Sequence, residues 1–244
     1  MSDRYQPSAG SHIGTESRPG RALAPLCFEP PWPLVSRPEL WIATVGDPAW
    51  GGAQVLVSED DDDYRQYGGE LSADMTLGTL LDPIPPAPAH EVYAPVTFRV
   101  RITPGSDWPS VTPARGMARA TDHYLADATG EVIATTMTRL VGVDADAPVY
   151  ECSGPLMRGG YGTGRARDWS LVGHEAGTPL VRLDREVFRY VLEARHVGQT
   201  LFFKLAAQNV YADPDSTQEP TDVEPVAFDV RGVFYRRDPR RWLA

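Results

Sequence analysis

Apolar and polar positions alternate with a period of two along most of this chain, in short runs that stop at proline, glycine or aspartate. The clearest run is VTFRVRI at 96–102. There Val96, Phe98, Val100 and Ile102 alternate with Thr97, Arg99 and Arg101, which predicts a strand buried on one face with its arginines turned outward. Leu201, Phe203 and Leu205 repeat the pattern against Phe202, Lys204 and Ala206, predicting a central strand. Shorter runs at 40–45, 53–58, 64–68, 75–81, 123–125, 132–137, 138–143, 179–184 and 226–235 predict further strands. The three between residues 40 and 68 read as a β-meander, broken at Gly46-Asp47-Pro48 and at the acidic run 59–63. Helix is scarce; residues 185–195 offer the best candidate and fit a strand equally well.

Composition sharpens this picture. With 23 Pro and 22 Gly in 244 residues, long helices are disfavoured and turn-linked strands favoured, while 42% hydrophobic content argues against global disorder. The expected fold is all-β: two small β-sandwich or β-barrel-like modules with a flexible N-terminal arm and long loops. The arm is residues 1–21. A first module spans 22–88 and carries a proline-rich strip at 26–38; a second spans 89–236, with a further division open near 178; a basic tail closes the chain at 237–244.

Charge removes one class of partner. The formal net charge of −10 and pI near 4.9 argue against nucleic acid, and the cluster Arg231, Arg236, Arg237, Arg240 and Arg241 reads as a solvated terminus or a protein-docking segment. Residues 1–20 are polar, with no signal peptide or membrane span expected, so the protein is expected to be made in the cytoplasm, or exported by other means. Cys27 and Cys152 lie far apart and are expected as free buried thiols, with one long-range disulfide between them as the alternative. The acidic run lacks the alternate spacing, glycine and distal glutamate of a calcium loop and is expected to be a solvated hairpin tip.

Candidate chemistry centres on 150–163, YECSGPLMRGGYGT, where a strand-like run enters a glycine-rich loop carrying Arg158. The loop lacks the strand-to-helix context of a dinucleotide site and the Gly-Lys-Ser/Thr end of a P-loop, so it is expected to be a structural turn. Arg158 would either anchor this loop to backbone carbonyls or pair with a carboxylate of a neighbouring subunit. The five histidines show no metal spacing. His174 and Glu175 are adjacent, so on an extended chain they point apart, and an exposed polar loop is expected there. No Gly-x-Ser-x-Gly elbow occurs. Trp32, Trp50, Trp108 and Trp169 are the candidates for a sugar platform. No catalytic residue, cofactor or metal is expected, and Arg158, Trp50, Trp108, Arg236 and Arg237 are the candidate interface or loop-anchoring residues.

Several stretches in series resemble the C-terminal region of tail-tip or baseplate hub proteins of tailed bacteriophages and gene transfer agents. LWIATVGDPAWGGAQVLVSEDDDDY at 40–64 is similar to the family's strand, Trp-Gly-Gly turn, Val-x-Val-Ser strand and acidic hairpin, and the match continues through Gly78-Thr79-Leu80. Gly130-Glu131-Val132-Ile133 resembles its Gly-Glu-x-Ile strand. Residues 150–163 resemble its Tyr-x-Leu-Ser-x-Leu-x-Arg-Gly-x-x-Gly-Thr segment, and Gly198-Gln199-Thr200 with Phe202-Phe203-Lys204 resembles its Gly-x-Thr-x-Tyr-Tyr-Lys strand. Departures are Cys152 in place of leucine, the interrupting Pro155 and the aromatic pair Phe202-Phe203. The likeness covers most of 40–232. It implies a virion structural protein of the tail tip, assembled with other tail-tip or baseplate proteins, in several copies around the tail axis, and supporting host attachment. Relatives commonly carry upstream modules, a glycosidase-like barrel among them, that this stretch does not match, so no catalytic residues are carried over. A host-surface glycan-binding module and an envelope-degrading glycosidase are the alternatives.

Overall fold

The computed structural model describes residues 19–64, 66–73, 75–88, 93–94, 96–103, 108, 123–126, 130–135, 137–153, 156–164, 166, 170–210 and 217–236. Among the described residues, sixteen strands follow in order. They are β1 (Leu26–Phe28), β2 (Glu39–Ala43), β3 (Trp50–Ser58), β4 (Gln66–Leu71), β5 (Leu77–Leu80), β6 (Tyr93–Ala94), β7 (Phe98–Ile102) and β8 (His123–Ala126). Then come β9 (Glu131–Ala134), β10 (Met137–Asp144), β11 (Ala147–Ser153), β12 (Leu156–Gly160), β13 (Pro179–Arg182), β14 (Phe188–Val191), β15 (Thr200–Asn209) and β16 (Val226–Asp229). One short helix, α1 (Val233–Arg236), ends the described chain. The protein is all-β, and its sheets are open: none closes into a barrel. No described helix is long and apolar enough to cross a membrane.

Among the described residues the strands form three antiparallel sheets, in the orders β1-β2-β14, β16-β15-β3-β4 and β10-β11-β7-β5-β13-β8-β9-β12-β6. They cut across the expected division at residue 88. β3 and β4 join β15 and β16 from the far end of the chain, while β5 lies between β7 and β13. The expected meander is likewise rearranged. β3 and β4 make the hairpin, but β2 leaves it to pair with β1 and β14, and all five of its residues are buried. A run without a polar face needs neighbours on every side, which a meander edge could not supply. The segment that fitted helix and strand equally is β14, ending in a 3-10 turn at Ala194–His196.

The hairpin between β3 and β4 turns on Asp60, whose carboxylate accepts from the Ser58 hydroxyl at 2.8 Å and from the Asp62 and Asp63 amides at 3.1 Å. The Ser58 hydrogen bond leads in holding this exposed carboxyl below its ordinary range, and the two amides reinforce it.

Two cores result. The first joins the two smaller sheets to the large one: Leu40, Ile42, Val55, Val57, Leu201 and Phe203 share it with Leu77, Val132 and Val181 of the large sheet, and Tyr190 sets its ring edge-on to Phe203 at 5.6 Å. The second lies under the large sheet, around Leu80, Phe98, Val100, Ile133, Tyr150 and Cys152, with the fully buried Trp108 packed among them. Cys27 is half-buried in β1, whereas Cys152 is buried. The proline-rich strip is tied to the far end of the chain by Glu29, whose carboxylate accepts from the amides of Arg231, Gly232 and Val233.

Candidate functional site

The large sheet holds the cluster with the densest chemistry. β9 opens with Glu131, a carboxylate at the head of an otherwise apolar run, and all four residues of the strand are buried. β12 pairs with β9 and brings Arg158 alongside it. The guanidinium meets the carboxylate two-pronged, Nε to Oε1 and Nη2 to Oε2, both at 2.8 Å, with both side chains wholly buried. The Gly159 amide adds a hydrogen bond to Oε1 at 2.6 Å, and His174 Nε2 lies 2.7 Å from Oε2.

Arg158 also reaches outward from this pair to two backbone segments. Nη1 donates to the Pro85 carbonyl at 3.0 Å and Nη2 to the Val172 carbonyl at 2.6 Å. Those segments are themselves laced together: Ile84 and His174 exchange amide-to-carbonyl bonds of 2.8 Å, and Leu171 does the same with Ala87. One ion pair thereby fixes two strands and two loops that are otherwise far apart in the chain.

The glycine-rich turn closes the cluster. Gly162 and Thr163 amides donate back to Gly159 and Gly160, and the Thr163 hydroxyl donates to the Gly160 carbonyl while accepting from the Val132 amide, both at 2.7 Å. Gly164 has a φ of 63°, and a Cβ there would lie 2.4 Å from Cγ of Glu131. Gly164→Ala is therefore expected to destabilise the protein by about 2–4 kcal/mol through overpacking and a left-handed backbone, read as a lower denaturant midpoint.

Burial is the largest influence on the Glu131 carboxyl and pushes its pKa up. The hydrogen bonds from His174 and Arg158, the Arg158 charge and the Gly159 amide together outweigh it, so the group is held below its ordinary value. With each oxygen accepting two donors, this carboxylate has no position left for a substrate or an attacking water. Only His174 Nδ1 in the cluster is buried without a partner.

Several expectations change. Arg158 does anchor its loop to backbone carbonyls, but its carboxylate partner is Glu131 of the same chain, so it is not exposed to a neighbouring subunit. His174 is not in an exposed polar loop: it is buried against Glu131 while Glu175 faces solvent. Trp50 and Trp108 are core residues, 7% and 0% exposed, because one packs against Gly46 and the other fills the second core. Neither can stack on a ligand. Trp32 is half-buried in a 3-10 turn; Trp169 and Arg237, and the side chain of Arg236 at the end of α1, lie outside the described residues.

Glu131 itself was missed as a functional residue. The available signal was a charged group at the head of a strand of apolar residues, since a buried carboxylate requires a partner. No group of three or more metal-binding side chains occurs among the described residues. No known protein-family profile matches the chain, and no curated protein matches it.

Proposed function

We propose that this chain is a structural component of the tail tip or baseplate hub of a tailed phage or phage-like particle, built into the distal end of the tail and supporting host attachment. The observation that carries this reading is where the residues of the resemblance sit. Gly130-Glu131 and Arg158 through Thr163, which match two separate motifs of that family, meet in one buried clasp. Motifs distant in sequence that converge on a solvent-free ion pair specify a scaffold, because their chemistry is spent on holding backbone segments together. The Trp-Gly-Gly motif and acidic hairpin likewise begin and end β3, and the Phe-Phe-Lys motif lies on its partner β15. Burial of Trp50 and Trp108 takes away the support for a glycan-binding surface at those residues.

Immunogold electron microscopy of particles from the source, with antibody raised against this chain, tests the proposal. Label at the distal end of a tail is the expected result. Particles that carry no label at any position would overturn it.

A further inference from the structure

The large sheet ends in an edge strand of unusual character. Among the described residues β10 pairs only with β11, and Leu140, Val141 and Val143 on it are 55%, 42% and 71% exposed. A long apolar edge is a template for another strand. We propose that β10 is a self-pairing edge, along which two copies of this chain join antiparallel about a twofold axis passing between Val141 and Gly142.

The charge pattern selects the partner. Arg139 pairs with Glu151 at 2.9 Å, Glu151 lies opposite Arg99, and Arg99 pairs with Asp82 at 2.7 Å, so charge alternates across the outer face of the sheet up to its edge. In the twofold register Arg139 lies opposite Asp144 of the second copy. Asp144 already bridges Arg101 at 3.1 Å, so the alternation continues without a break from one copy into the next. The same register sets Leu140 opposite Val143.

The bulge in β10 is what makes this register consistent. Residues facing each other across an antiparallel pair must point to the same side of the sheet, and in a regular strand Leu140 and Val143 would point to opposite sides. The register slips between Leu140 and Gly142, making Val141 the extra residue. As a result Leu140 and Val143 lie opposite Tyr150 and Pro148, two residues apart on β11 and so on one face. Arg139 and Asp144 share the other, opposite Glu151 and Ala147. Gly142 fits the same arrangement. Its φ is not left-handed and a Cβ would meet nothing within 4 Å, so its own fold does not require glycine there. Opposite Val141 of the second copy, the missing side chain leaves room for that valine.

This interface is isologous and uses one edge once, so a ring around a tail axis would need other surfaces, and the inference does not rest on the tail-tip reading. Sedimentation velocity on the purified chain over a wide concentration range tests it, with a reversible monomer–dimer equilibrium expected. Arg139→Asp and Asp144→Arg should each weaken self-association at least tenfold, by placing like charges opposite each other. Mixed in equal amounts, these two variants should form a heterodimer about as tight as the wild-type dimer, because opposite charges then meet at both positions. Gly142→Val, which has room in the monomer, should also weaken the dimer. Unchanged thermal melts and circular dichroism check the fold of each variant. A wild-type chain that stays monomeric throughout, or single-charge variants that self-associate like wild type, would overturn the proposal, as would a mixture that fails to dimerise.

Discussion

Arg158→Met is expected to lower stability by about 3–5 kcal/mol, because it leaves the Glu131 carboxylate buried without its counter-charge. In a domain of this size that corresponds to a fall in Tm of about 10 °C. Glu131→Gln should cost a similar amount from the other side, stranding the guanidinium. The double variant should lose less than the sum of the two, since an orphaned charge rather than the absent pair is the larger penalty. Some loss must remain, because the Pro85 and Val172 carbonyls forfeit their donors when Arg158 goes.

The same pair gives the protein a pH dependence whose sign follows from the Glu131 shift. Its carboxyl is held below the ordinary value of 4.5, so the folded state releases this proton more readily than the unfolded chain. The resulting stabilisation is complete above the unfolded value and is lost as pH falls through the lower, folded one. Thermal melts of wild type and Glu131→Gln should therefore differ most near pH 7, at about neutral conditions, and converge as the pH falls below about 4. A gap that stays constant across that window would show that the Glu131 charge is not what the clasp contributes.

Trp108→Ala is the second large effect expected, at about 3–5 kcal/mol in denaturant unfolding. Trp108 is completely buried among Leu80, Phe98, Val100 and Tyr150, so alanine would empty the middle of the second core. Trp108→Phe, which keeps most of the apolar volume, should cost well under half as much. If the two substitutions cost the same, cavity formation is not the cause.

How far the strands could be read from the chain depended on what each side chain faces. β7 and β15 were legible because each alternates, with one face buried and the other wetter, and alternation is written in the sequence itself. The sheet partners were not legible. A strand such as β2, buried at all five residues, states that it has neighbours without stating which, and its partners β1 and β14 lie on opposite sides of it in the chain. The clasp was half legible. Arg158 stood out against its glycines, and Glu131 was present in a motif, but 27 residues separate them and no local pattern pairs them. His174 was misread as part of an exposed polar loop because its neighbouring carboxylate, Glu175, points away from it on an extended chain, whereas its actual partner, Glu131 on β9, lies 43 residues away. The tryptophans were misread for a related reason: a large aromatic in a turn-rich stretch looks available until the fold wraps around it.

The pairing of β3 with β15 sets a schedule for synthesis. Val57 lies opposite Phe203, so β3 leaves the ribosome roughly 150 residues before the strand that covers it. At elongation speeds of about 5–20 residues per second, that is a wait of about 7–30 s. Throughout it Val55 and Val57, wholly buried in the finished protein, have no β15 to cover them, and only the hairpin to β4 can form. Production of this chain is therefore expected to depend on chaperone supply and low temperature more than its final stability suggests, and C-terminal truncations before residue 200 should accumulate as aggregates rather than as a folded first half.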